Sequence, residues 1–67
     1  MTRIHIPATD IQVGDTLDYH GHIVTVTSER EDAPNQFGLP WFRFRVENDG
    51  GWGWAQFGPT GTATLIK

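Results

Sequence analysis

Apolar and polar residues alternate with a period of two over much of the chain, and no ten-residue stretch shows the 3.6 period of an amphipathic helix. The alternation predicts strands over 3–6, 16–19, 22–29, 41–47, 52–57 and 62–66, with at most a single 3₁₀ turn as helix. Turn chemistry punctuates them. Pro7 cannot donate to a ladder and closes the first strand. Gly14-Asp15 bends the chain into the second strand, and His20-Gly21 forms a two-residue turn into the third. That turn sets Leu17 opposite Val24, Tyr19 opposite His22 and Asp15 opposite Val26, so Leu17, Val24 and Val26 share a core face. Ile23, Thr25 and Thr27 take the other side, and Ile11 and Val13 point one way ahead of the hairpin. Residues 28–39 form the longest irregular connection, from which Phe37 or Leu39 is expected to plug back onto the core.

The strongest pattern lies over 40–57, which holds six of the eight aromatic residues, all three tryptophans and two of the four arginines. Two alternating runs flank Asn48-Asp49-Gly50-Gly51, a β-hairpin signal in which Asp49-Gly50 predicts a type I′ turn with positive φ at both central residues. A two-residue Asp49-Gly50 turn pairs Glu47 with Trp52, and a four-residue Asn48–Gly51 loop gives the same pairing. One face is then Phe42, Phe44 and Val46 against Phe57, Ala55 and Gly53, which is apolar and forms core. The other is Trp41, Arg43, Arg45 and Glu47 against Trp52, Trp54 and Gln56, which holds the charge and faces outward. Two alternatives stand beside this. In one, Trp52 or Trp54 lies under a loop such as 28–39 or a chain terminus as satellite core. In the other, a G1 bulge in the turn slips one strand and sends the tryptophans inward. Arg45 opposite Trp54 predicts a guanidinium over an indole, worth roughly 0.5–1 kcal/mol at an exposed site.

Sixty-seven residues make one domain, 1–67, which buries only about 60% of its unfolded surface and relies on large side chains for a core. Five or six short strands are too few for a sandwich. They suit an all-β, SH3-like barrel, small and strongly bent, ahead of an OB-like barrel, which needs longer strands and usually a helix.

The run Asp10-Ile11-Gln12-Val13-Gly14-Asp15, then Gly21 and Val24-Thr25-Val26-Thr27, resembles the opening of small SH3-like barrel proteins, in particular short proteins of unknown function encoded by phages of actinobacteria. The resemblance covers residues 4–29. It implies a fold and a phage origin, and it carries no activity and no functional residue.

Charge narrows the partners. The formal net charge is −3 with only five basic residues, two of them on the hairpin's outer face, which makes double-stranded nucleic acid an unlikely partner. Single-stranded nucleic acid or a nucleotide stacked on indoles needs less charge and stays possible. Cysteine is absent, which fits a reducing, cytoplasmic setting, that of the host cell for a phage protein. No run approaches the ~20 apolar residues of a membrane span and the opening residues lack a long apolar run, so a soluble protein without a membrane partner is expected.

Few residues suggest chemistry. Asp18, His20 and His22, with His5 elsewhere, have ligand-like spacing, but the His20-Gly21 turn breaks a common face and no metal or other cofactor is expected. With a single serine, no cysteine and no carboxylate pair in an evident pocket, no catalytic residue is assigned and the protein is expected not to be an enzyme. The glycines of 50–53 lack the Lys and helix of a phosphate loop. What remains is a binding module using Trp41, Arg43, Arg45, Trp52, Trp54 and Gln56. It self-associates or docks a protein partner, with single-stranded nucleic acid or nucleotide stacking as the alternative.

Overall fold

A computed structural model describes residues 2–67 as an all-β chain in one antiparallel sheet. Seven strands follow in order: β1 (Arg3–Pro7), β2 (Thr16–Tyr19), β3 (His22–Val26), β4 (Glu31–Asp32), β5 (Phe42–Asn48), β6 (Gly51–Phe57) and β7 (Thr62–Ile66). A single 3₁₀ turn, Ala8–Asp10, follows β1. No described helix is long and apolar enough to cross a membrane.

Across the sheet, β1 pairs with β7, β7 with β2, β2 with β3, and β3 with β5, while β6 lies on the far side of β5. Both hairpins adopt the register the alternation predicts. Leu17 pairs with Val24 and Tyr19 with His22, and Glu47 pairs with Trp52 through to Phe42 with Phe57. The side chains this register turns inward form the core. Leu17, Val26, Phe42 and Phe44 are each 1% exposed, and Val24, Val46, Ala55, Phe57, Ala63, Leu65, Ala8 and Ile11 complete it. The Phe44 ring meets Phe42 edge-on at 5.9 Å and Phe57 at 6.3 Å, spacings that favour aromatic quadrupole contacts.

Several expectations are corrected. The third strand ends at Val26 rather than at residue 29, because Thr27 and Ser28 take over its pairing by other means. The Thr27 N–H donates to the Arg45 carbonyl at 2.8 Å, and the Arg45 N–H donates to Ser28 Oγ at 2.9 Å, a hydroxyl standing where a strand carbonyl would be. Pairing resumes along the same edge of β5 in β4, a two-residue strand too short to leave a periodic signal. Val13 is 55% exposed while Ile11 is buried, since 11–15 forms a turn held by the Gln12 N–H on Asp15 Oδ2. Phe37 and Leu39 do not plug the core: they are 79% and 50% exposed. Asn35 explains this, because its Oδ1 accepts from the N–H groups of both Phe37 and Leu39 and folds the loop into a turn with Phe37 at its tip.

The aromatic hairpin also turns differently from expectation. Neither Asp49 nor Gly50 has positive φ; Gly51 does, at 122°, so the turn is not type I′. The Gly50 N–H donates to Asn48 Oδ1 at 2.8 Å, closing a local turn that moves the glycine-requiring conformation one residue along. Type I′ geometry appears instead at His20-Gly21, with φ of 51° and 83°. Finally, the ladder does not close into a barrel: β1 and β6 each keep a free edge.

Candidate functional site

The outer face of the β5–β6 hairpin carries four side chains in contact: Arg43, Arg45, Trp52 and Trp54. Their positions follow from the register, which puts Arg43 opposite Gln56, Arg45 opposite Trp54 and Glu47 opposite Trp52. Strand twist then carries each arginine to its diagonal neighbour. The Arg43 guanidinium carbon lies 3.9 Å from the Trp54 ring centre, and that of Arg45 lies 4.5 Å from Trp52. The predicted stack of Arg45 on Trp54 is therefore replaced by two diagonal stacks. The indoles meet edge to face at 5.9 Å and 85°.

Carboxylates fix the arginines from the other side. Arg43 Nη2 donates to Glu31 Oε1 at 2.8 Å, and Arg45 Nε lies 3.9 Å from Glu47 Oε2. Both pairs are partly solvated, so each is worth about 1 kcal/mol or less, and their effect is chiefly geometric. Arg43 Nε is covered and has no acceptor among the described residues, so Arg43 is committed to Glu31 and to the indole.

The face is open. Trp52 is 59% exposed and Trp54 40%, so neither lies beneath residues 28–39. Trp41, expected in the same cluster, stands apart. It precedes β5, is half-buried and packs on Gly58, where an added Cβ would come within 3.4 Å of the indole. Gln56 bridges the two regions, since it lines two depressions together with Trp41. One of these, about 430 Å³, is walled by Tyr19, His20, Trp41, Gly58 and Thr62. The other runs from Trp41 to Pro34 and Phe37.

Two contributors escaped the sequence reading. Phe37 extends the apolar surface beyond Trp41, and the Asn35–Gly38 pair around it was its only sequence signal. Tyr19 was placed merely opposite His22, yet its hydroxyl donates to the Gln56 carbonyl at 3.3 Å and accepts from the Gln56 N–H at 3.2 Å. It thereby caps one residue of the free β6 edge.

The histidines do not converge. His5 Nδ1 is 3.2 Å from Thr64 Oγ1, His20 sits in its turn, and no group of three or more His, Asp or Glu among the described residues could hold a metal ion. No protein-family model matches the chain, and neither does any curated protein or solved structure.

Proposed function

We propose that this chain is a non-enzymatic, cytoplasmic binding module that docks protein, either another copy of itself or a partner, through the Trp/Arg face of the β5–β6 hairpin. The small antiparallel sheet of short strands is compatible with an SH3-like arrangement that stays open as its scaffold, with an OB-like one second. One observation carries the reading: two indoles are held open to solvent, 59% and 40% exposed, on a backbone whose opposite face is the core. An indole left in water costs free energy that a docked partner recovers, and Trp with Arg dominates the residues that anchor protein interfaces. The diagonal stacks hold these side chains in place before contact, which lowers the entropy lost on docking.

The same geometry weighs against nucleic acid. Both guanidinium groups already face a carboxylate and lie on indole rings, so binding phosphate and stacking bases would require dismantling that arrangement. Ionic strength tests the choice of partner. Docking through indoles persists as salt rises, whereas steep weakening together with retention of a single-stranded oligonucleotide would replace the protein reading by the nucleic-acid one.

A further inference from the structure

We infer that the partner of this face is a second copy of the chain, joined edge to edge by β6 in a two-fold antiparallel pairing of Trp52 with Trp54 of the other copy. The inference rests on the binding-module reading and specifies its occupant.

The backbone of β6 supplies the first argument. Arg43, Arg45 and Glu47 turn their N–H and C=O groups toward β4, Ser28 and β3, so the opposed residues Gln56, Trp54 and Trp52 turn theirs to the free edge. Tyr19 satisfies Gln56, and nothing among the described residues bonds the edge-facing groups of Trp52 and Trp54. The edge lacks the usual protections, since Gly51–Phe57 holds no charge and no proline. The other free edge, β1, has Arg3 and Pro7.

Tyr19 also argues against one register. Pairing Trp54 with its own copy would set Trp52 against Gln56, whose groups are taken. Pairing Trp52 with Trp54 centres the two-fold axis on Gly53, forms four backbone hydrogen bonds, and brings Gly50 opposite Gln56. There the partner's ladder has already ended at its turn, so no strand bond to Gln56 is called for. Gly53 leaves the axis free of side chains on the inner face.

Charge is self-complementary in this register. Reading across the joined sheets gives Glu47, Trp52, then Trp54 and Arg45 of the second copy, and the reverse in the next row, so no row joins like charges. The Asp49 turn of each copy falls near the Gln56–Arg43 row of the other. The four indoles hold about 500 Å² of exposed surface, so much of the ~1,200 Å² a standard interface buries must come from the paired strands, and the dimer is expected to be concentration-dependent.

The absence of native cysteine makes the axis testable by cross-linking. A Cβ at Gly53 meets nothing within 4 Å, and on the two-fold axis it would face its counterpart at a Cα separation of about 4.5 Å, within disulfide range. Oxidised Gly53→Cys is expected to run as a covalent dimer on a non-reducing gel, while oxidised Gln56→Cys stays monomeric. A wild-type chain that sediments as a dimer while Gly53→Cys fails to cross-link would overturn the edge pairing and leave the face reading standing. A wild-type chain that is monomeric at every concentration would overturn the inference, while the face could still serve a different partner. If Gly53→Cys does not fold, a synthetic chain N-methylated at the Trp54 amide serves instead. It keeps both indoles and removes one edge donor per copy, so loss of the dimer supports the pairing and wild-type association refutes it.

Discussion

Arg45 stands directly opposite Trp54 in the β5–β6 ladder, yet its guanidinium lies over Trp52, 4.5 Å from the ring centre. Arg43 is displaced in the same sense onto Trp54. Each indole therefore has an arginine on its diagonal, and each arginine has a carboxylate within 4.0 Å. The arrangement is a ladder of contacts set up by strand twist rather than by direct cross-strand pairing.

Removing one carboxylate separates its geometric effect from its energetic one. Glu31→Gln is expected to lower stability by about 1 kcal/mol or less, a difference that fades with salt, because the pair with Arg43 is partly solvated. Urea denaturation at two ionic strengths checks this. A loss of several kcal/mol that is indifferent to salt would show that the pair acts as core.

Truncation of Phe44 has the opposite scale. Phe44 is 1% exposed and touches two other rings, so Phe44→Ala is expected to cost about 3–5 kcal/mol, enough to unfold a domain of this size. Phe37→Ala, at a residue 79% exposed, should change stability by about 0.5 kcal/mol or less. Thermal melts of the two variants should differ widely; equal melting would mean that the loop tip packs on the core after all.

Tyr19→Phe isolates one hydroxyl. The ring keeps its edge-on contact with Phe57 at 5.6 Å, while the two hydrogen bonds to Gln56 are lost, at a cost of about 0.5–1.5 kcal/mol. The Gln56 amide should then exchange with deuterated solvent faster than in the wild type. Unchanged protection at that amide would mean that another group covers the edge.

Much of the hairpin region was legible in the sequence. Alternation from Phe42 to Val46 and the glycine-rich residues before Trp52 point to the observed register, which separates phenylalanines from tryptophans, although a G1 bulge in the turn would have slipped it by one residue. The turn type was not legible, because the Asn48 side chain competes with the backbone for the closing hydrogen bond. Neither was the fate of residues 28–39. Local polarity there gives no period, and what organises the loop is one Asn35 side chain and the Ser28 hydroxyl, both acting through single hydrogen bonds. The tie between Tyr19 and Gln56 joins residues 37 positions apart, beyond any local pattern.

If the exposed indoles serve association rather than stability, sedimentation equilibrium of Trp52→Ala and Trp54→Ala beside the wild type, on samples whose melting has been recorded, separates the two roles most directly. With side chains 59% and 40% exposed, each substitution is expected to change stability by about 1 kcal/mol or less, Trp54→Ala slightly more through the lost Arg43 stack, while the concentration-dependent mass increase of the wild type disappears. Variants that associate as the wild type does, or that lose about 3–5 kcal/mol as a truncated core tryptophan would, contradict the account.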